Sequence, residues 1–162
     1  MSVTPDFPSP ETPTWALFDH ILRRYHDTHR SELPKLLALS RKVETVHADD
    51  PNAPHGLTEA LQALVVDLEA HMRREESVVI AALDHTESRK TPAPFTALRR
   101  DHHTNEAMMN KIAAITHGFK LPVYACGSWR QLYAGLSKLV DDLEEHMFLE
   151  DTFLFPRFEA NA

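Results

Sequence analysis

Asp67–Ile80 reads DLEAHMRREESVVI, and 75 positions later residues 142–155 read DLEEHMFLEDTFLF. Both stretches place a glutamate four residues after a histidine, as His71/Glu75 and His146/Glu150. Four residues is one helical turn, so each pair lies on a single helix face. An imidazole nitrogen above a carboxylate is a metal-ligating pair, and its repetition suggests two such pairs facing one another. No thiolate accompanies them. Nitrogen and carboxylate donors suit iron, manganese or zinc.

Elements that can position these groups follow from the apolar spacing. Leu57, Leu61, Leu64, Leu68, His71, Glu75, Val78 and Ala82 alternate spacings of three and four, as do Leu132, Leu136, Leu139, Leu143, His146, Glu150 and Phe153. Such a stripe faces the interior of a helical bundle. A third helix repeats it with Leu98, His102, Asn105, Met109 and Ile112, and a first carries Trp15, Phe18, Leu22, His26 and His29. His26 precedes His71 by 45 residues and His102 precedes His146 by 44, which suggests two related halves.

An unpaired carboxylate in an apolar bundle costs several kcal/mol, and two close together repel. Either the acids are protonated, or the stripe faces solvent, or cations lie between them. Convergence of His26, His71, His102, His146, Glu75 and Glu150 on every wall of one bundle favours a pair of cations. Asp67 and Asp142, one turn before His71 and His146, are placed to accept those rings' second N–H, and Asp101 to serve His102. His29 reads as an outer-shell or surface residue. His20, His55, His85, His103 and His117 fall at loops, helix ends or off-stripe positions and are expected to face solvent.

His47 is a different matter. On one straight helix it would stand about 31 Å from His26, at about 1.5 Å per residue. It joins the site only if the chain turns near Pro34, where Ser31 could cap a second helix. Glu44-Thr-Val-His47 is the only E-x-x-H in the chain, whereas ferritin-like carboxylate sites need two.

The whole chain of 162 residues suits one compact domain. Four glycines and a helical period throughout predict an all-α, up-down four-helix bundle. The domain is expected over residues 14–158, after a flexible Pro-rich arm, 1–13, with loops at 48–56, 86–94 and 118–128. A net charge of −7 without a basic stripe argues against nucleic acid and anionic membranes. The longest apolar run, VVIAAL, is too short to span a bilayer. One cysteine excludes an intrachain disulfide, and no basic, apolar leader opens the chain, so a cytoplasmic location is expected.

RYHDTHRSELPKLLALSRKVETVHADDP, LEAHMRREE, RRDHH, YACGSW and DLEEHMFLEDTFLFPR together resemble the hemerythrin-like di-iron proteins, specifically the repair-of-iron-centres family. The resemblance implies a four-helix bundle holding two iron ions with an oxo or hydroxo bridge. It implies His26, His71, His102 and His146 as terminal imidazoles and Glu75 and Glu150 as bridging acids, and it adds His47 as a histidine characteristic of the family. It further implies a cytosolic role in nitrosative and oxidative stress, repairing damaged iron–sulfur proteins by donating iron. A carrier or sensor of nitric oxide or dioxygen without iron delivery is the alternative, and a homodimer is compatible with either. Two departures stand out. Many members carry an N-terminal module with paired cysteines where this chain has its Pro-rich arm. After the first H-x-x-x-E the chain reads VVIAAL, whereas the second copy keeps FLFPRF.

Overall fold

A computed structural model describes residues 7–84 and 92–159. Residues 1–6 of the Pro-rich arm, and 86–91 of the second expected loop, lie outside the described residues. The described elements are α1 (Thr14–Ile21), a π-helical turn (Leu22–His26), α2 (Asp27–Val46), α3 (Leu57–Asp84), α4 (Pro92–Ile115), α5 (Gly127–Leu149), a second π-helical turn (Glu150–Leu154) and the short α6 (Pro156–Glu159). No strand occurs among the described residues. The architecture is the expected all-α bundle of four long rods.

Neighbouring rods run antiparallel. Arg30 reaches back to Glu69 and Glu76 on α3, while Arg24 meets Asp142 and Lys138 meets Glu32 across α2 and α5. α3 packs on both α2 and α4, and α2 packs on α5, so α2 and α4 stand diagonally across the bundle. Gly135 marks a close approach of α5 to α2, because a Cβ there would come within 2.5 Å of Leu36 Cδ2. The end of α4 turns sharply at Gly118, whose φ of 67° suits a residue without a Cβ and whose N–H donates to the Ala113 carbonyl.

Two apolar clusters fill the interior. One joins Leu33, Leu36, Leu61, Leu64, Leu68, Met72, Met109, Leu136 and Leu143. The other joins Leu17, Phe18, Ile21, Tyr25, Val79, Phe95, Leu98, Leu149, Leu154 and Phe155. Between them, all four rods contribute polar groups at one level.

Two expectations are corrected here. Pro34 does not turn the chain: it lies inside α2, which continues to Val46. Trp15 is not on the interior stripe and is 69% exposed. The reason is the π turn, in which Asp27 N–H donates to the Leu22 carbonyl five residues back. Its extra residue re-phases the helix, so Leu17, Ile21 and Tyr25 face inward before it and His26, His29 and Leu33 after it. Residues 8–13 lie against the other end of the chain, where Arg157 donates to the Pro10 and Thr12 carbonyls.

Candidate metal centre

Six of the seven residues singled out above converge at the level between the two apolar clusters. His26, Glu75, His146 and Glu150 form one group, and His71, Glu75, His102 and Glu150 a second; within each, the ligand atoms lie within 4.8 Å of one another. All six side chains are buried. Each group takes one histidine from the first half of the chain and one from the second, while both glutamates belong to both groups.

The carboxylates are divided oxygen by oxygen. Glu75 sets Oε1 3.5 Å from His26 Nε2 and Oε2 3.1 Å from His71 Nε2. Glu150 sets Oε2 2.6 Å from His146 Nε2 and Oε1 2.7 Å from His102 Nε2. This is the disposition of two bridging carboxylates between neighbouring cations, with imidazoles at the far ends.

The donor set also fits cations on a stricter test. Both Glu75 oxygens, Glu150 Oε1, His71 Nε2 and His102 Nε2 are buried and make no hydrogen bond of acceptable geometry. Buried polar atoms are otherwise almost always satisfied. Lone pairs aimed together without protons between them are the pattern that a cation completes. Where protons stand in for cations, burial disfavours the His26 imidazolium, yet the neighbouring carboxylates of Glu150, Glu75 and Glu76 raise its pKa to about 11. Burial likewise opposes charge on His102, and Asp151 and Glu150 overcome it to reach about 10. Glu150 is driven well below the carboxylate range, because His146, Glu75 and His102 outweigh the cost of its burial.

The outer ring nitrogens find partners that differ from those expected. His71 Nδ1 meets Asp101 at 3.0 Å, His102 Nδ1 meets Asp151 at 2.9 Å and His26 Nδ1 meets Glu76 at 2.7 Å. Asp101 therefore serves His71 on the neighbouring helix, not the adjacent His102. Asp142 does not serve His146 either, since Arg24 and Lys138 hold both of its oxygens. Glu76 and Asp151 went unrecognised, although the sequence marks both as the acid immediately after each H-x-x-x-E. Each partner is itself held by an arginine, Arg30 on Glu76, Arg74 on Asp101 and Arg99 on Asp151. Burial alone would raise the Glu76 pKa, but His26 and Arg30 pull it down to about 2. Asp151→Asn is expected to weaken metal affinity by about 10- to 100-fold, the usual cost of losing such a partner. A titration of the variant against a competing chelator reads this directly.

His146 is the exception, with no carboxylate on its outer nitrogen. Its Nδ1 lies 3.3 Å from His29 Nε2, and its ring stacks on Tyr25 at 5.5 Å. Tyr25 Oη is anchored 2.6 Å from Glu145. His29 is fully buried, not at the surface, and burial together with His146 and His26 lowers its pKa to about 3, so it is neutral. His55, His103 and His117 are exposed as expected, His20 is half-buried, and His85 lies outside the described residues.

The seventh residue, His47, is not brought to this level. A straight α2 carries it to the far end of the bundle, where it ends the helix beside Trp129 and sets Nε2 3.3 Å from Cys126 Sγ. Glu44, one turn earlier, accepts from Gly56 and Thr58 N–H and so caps the start of α3. The lone E-x-x-H is thus built for structure. The contact with His47 lowers the Cys126 pKa, aided by the Trp129 N–H. His47→Ala is expected to leave metal content unchanged and to slow Cys126 alkylation by iodoacetamide at neutral pH. A higher thiol pKa leaves less thiolate, and that loss exceeds the gain in intrinsic nucleophilicity.

A cavity of about 370 Å³ opens between α4 and α5, with His102, Met109, Leu143, Met147 and Asp151 among its walls. Among the described residues no helix is long and apolar enough to cross a membrane.

The family profile described as "Hemerythrin HHE cation binding domain" matches residues 17–158. Proteins named "Iron-sulfur cluster repair protein YtfE" from Salmonella paratyphi B, Salmonella newport and Salmonella dublin are 39% identical over 141 residues, covering 87% of this chain and 64% of each relative. The chain therefore spans just under two thirds of the length of these curated relatives.

Proposed function

The chain belongs to the hemerythrin HHE cation-binding family, and from that premise we propose that it is a di-iron protein that repairs damaged iron–sulfur clusters under nitrosative or oxidative stress. In this reading His26 and His146 would hold one iron, His71 and His102 the other, and Glu75 and Glu150 would be shared between them. The observation that carries the metal assignment is the division of each glutamate between the two groups, one oxygen to each. The similarity to cluster repair proteins supports the role. Bound iron supplies redox change and affinity for small ligands such as nitric oxide and dioxygen.

The chain's own residues do the rest. Four imidazoles and two carboxylates would supply few donors for two ions and would leave room for exchangeable ligands. Asp101, Glu76 and Asp151 fix three of the rings through their outer nitrogens. Those three acids reach the surface, and their side chains are 23%, 23% and 38% exposed. Loss of one of these outer hydrogen bonds would weaken that ring's hold on a bound iron, which would favour transfer to an acceptor. The protein then donates iron to a damaged cluster protein in the cytoplasm.

The deciding experiment mixes the iron-loaded protein with an aconitase-type enzyme whose cluster has been damaged by nitric oxide. Cluster absorbance and enzyme activity should return while this protein loses iron. Retention of both irons, with nitric oxide or dioxygen bound reversibly and no cluster restored, would assign it instead as a gas carrier or sensor.

A further inference from the structure

The two metal groups share both glutamates, so what separates them lies behind the imidazoles. In the His71–His102 group each ring sets its outer nitrogen against a carboxylate, Asp101 at 3.0 Å and Asp151 at 2.9 Å. In the His26–His146 group His26 has Glu76 at 2.7 Å, but among the described residues no carboxylate meets the outer nitrogen of His146. That nitrogen faces His29 Nε2 at 3.3 Å, a second imidazole supplied by α2. Whichever way the proton lies between those two rings, His29 brings them no negative charge. The face of Tyr25, stacked on His146 at 5.5 Å, brings none either.

Nearby acids do not make up the difference. Asp142, one turn before His146, has its two oxygens held by Arg24 and Lys138. Glu145 accepts the Tyr25 hydroxyl. A carboxylate behind a ligating ring orients it and raises its basicity, and losing one weakens metal binding by about 10- to 100-fold. One group has two such supports and the other has one. The backbone is unequal in the same direction. His71, His102 and His146 stand in the regular helices α3, α4 and α5, whereas His26 closes the first π-helical turn. That geometry is rare in helices. The group with fewer outer carboxylates thus also has the less regular mount.

We infer that the two positions differ in their hold on a cation, with His71–His102 the retaining position and His26–His146 the releasing one. A limiting supply of cation fills the retaining position, and a chelator or acceptor empties the releasing one first. On the di-iron reading, from which this follows, one ion per chain is given up to a damaged cluster while its neighbour stays. The shared Glu75 and Glu150 then keep a counter-charge between them until the emptied position refills.

Iron-edge anomalous diffraction reads the order directly, from crystals of protein loaded anaerobically with less than one equivalent of Fe(II). The peak between His71 and His102 should exceed the other several-fold, as an affinity gap of about 10- to 100-fold requires. Asp101→Asn/Asp151→Asn leaves that group without an outer carboxylate against one at its neighbour, and should reverse the order. Should the double variant fail to fold, His29→Glu, which supplies a carboxylate behind His146, should bring the two peaks level. Equal peaks in the wild type, or a preference that neither substitution shifts, would overturn the inference and leave the di-iron reading in place. Protein that holds iron at neither position when offered an excess would overturn both.

Discussion

Glu75→Leu and Glu150→Leu each empty both metal positions, whereas His26→Ala empties mainly one. Each glutamate gives one oxygen to the His26–His146 group and the other to the His71–His102 group. Removing either acid takes a ligand from both positions at once and halves the negative charge that lets two cations approach. The expected loss exceeds the roughly 10- to 100-fold cost of removing an outer hydrogen-bond partner. Metal per chain, measured by plasma mass spectrometry on purified protein, should fall to near zero in both leucine variants. His26→Ala should keep its ion at the other group, where all four donors remain. A Glu75→Leu protein that still carries one ion per chain would show that the two groups do not share their acids.

Chelation lowers the melting temperature by about 8–16 °C for each ion removed. One ion held at a thousand times its dissociation constant stabilises the native state by about 4 kcal/mol. For a chain of this size each kcal/mol moves the midpoint by about 2–4 °C. The double variant Glu75→Leu/Glu150→Leu should lose this response, melting at one temperature with or without chelator. It should also melt no lower than the chelated wild type, because two buried carboxylates have been exchanged for apolar side chains that fit between the clusters. A wild-type midpoint indifferent to chelator would mean that protons alone satisfy the six buried groups.

Much of this was legible in the sequence, and what escaped has identifiable causes. Spacings of three and four brought His71, Glu75, His102, His146 and Glu150 to one interior level, because such spacing leaves a helix little choice of face. The reading of the first rod went astray at Trp15. A π turn adds one residue without any marker in composition, and periodicity extrapolated through Leu22 points the wrong way. His47 was tied to a turn at Pro34, yet α2 accommodates that proline and carries His47 to Cys126. The outer partners were missed by one step of logic. A carboxylate beside a histidine on its own helix points elsewhere, while Asp101, Glu76 and Asp151 reach across to rings on neighbouring rods. Asn105 was read as one more member of a stripe. Only its unpartnered amide distinguishes it from the apolar residues on either side.

The two π turns, Leu22–His26 and Glu150–Leu154, each absorb one surplus residue. Losing Arg23 would close the first into ordinary helix and set Ile21, Phe18 and Leu17 four, seven and eight residues before His26, on the inward face they already hold. A deletion elsewhere in the rods that carry the ligands would instead swing one side against the other by about 100°. These two pentads are therefore where those rods can shed a residue at least cost.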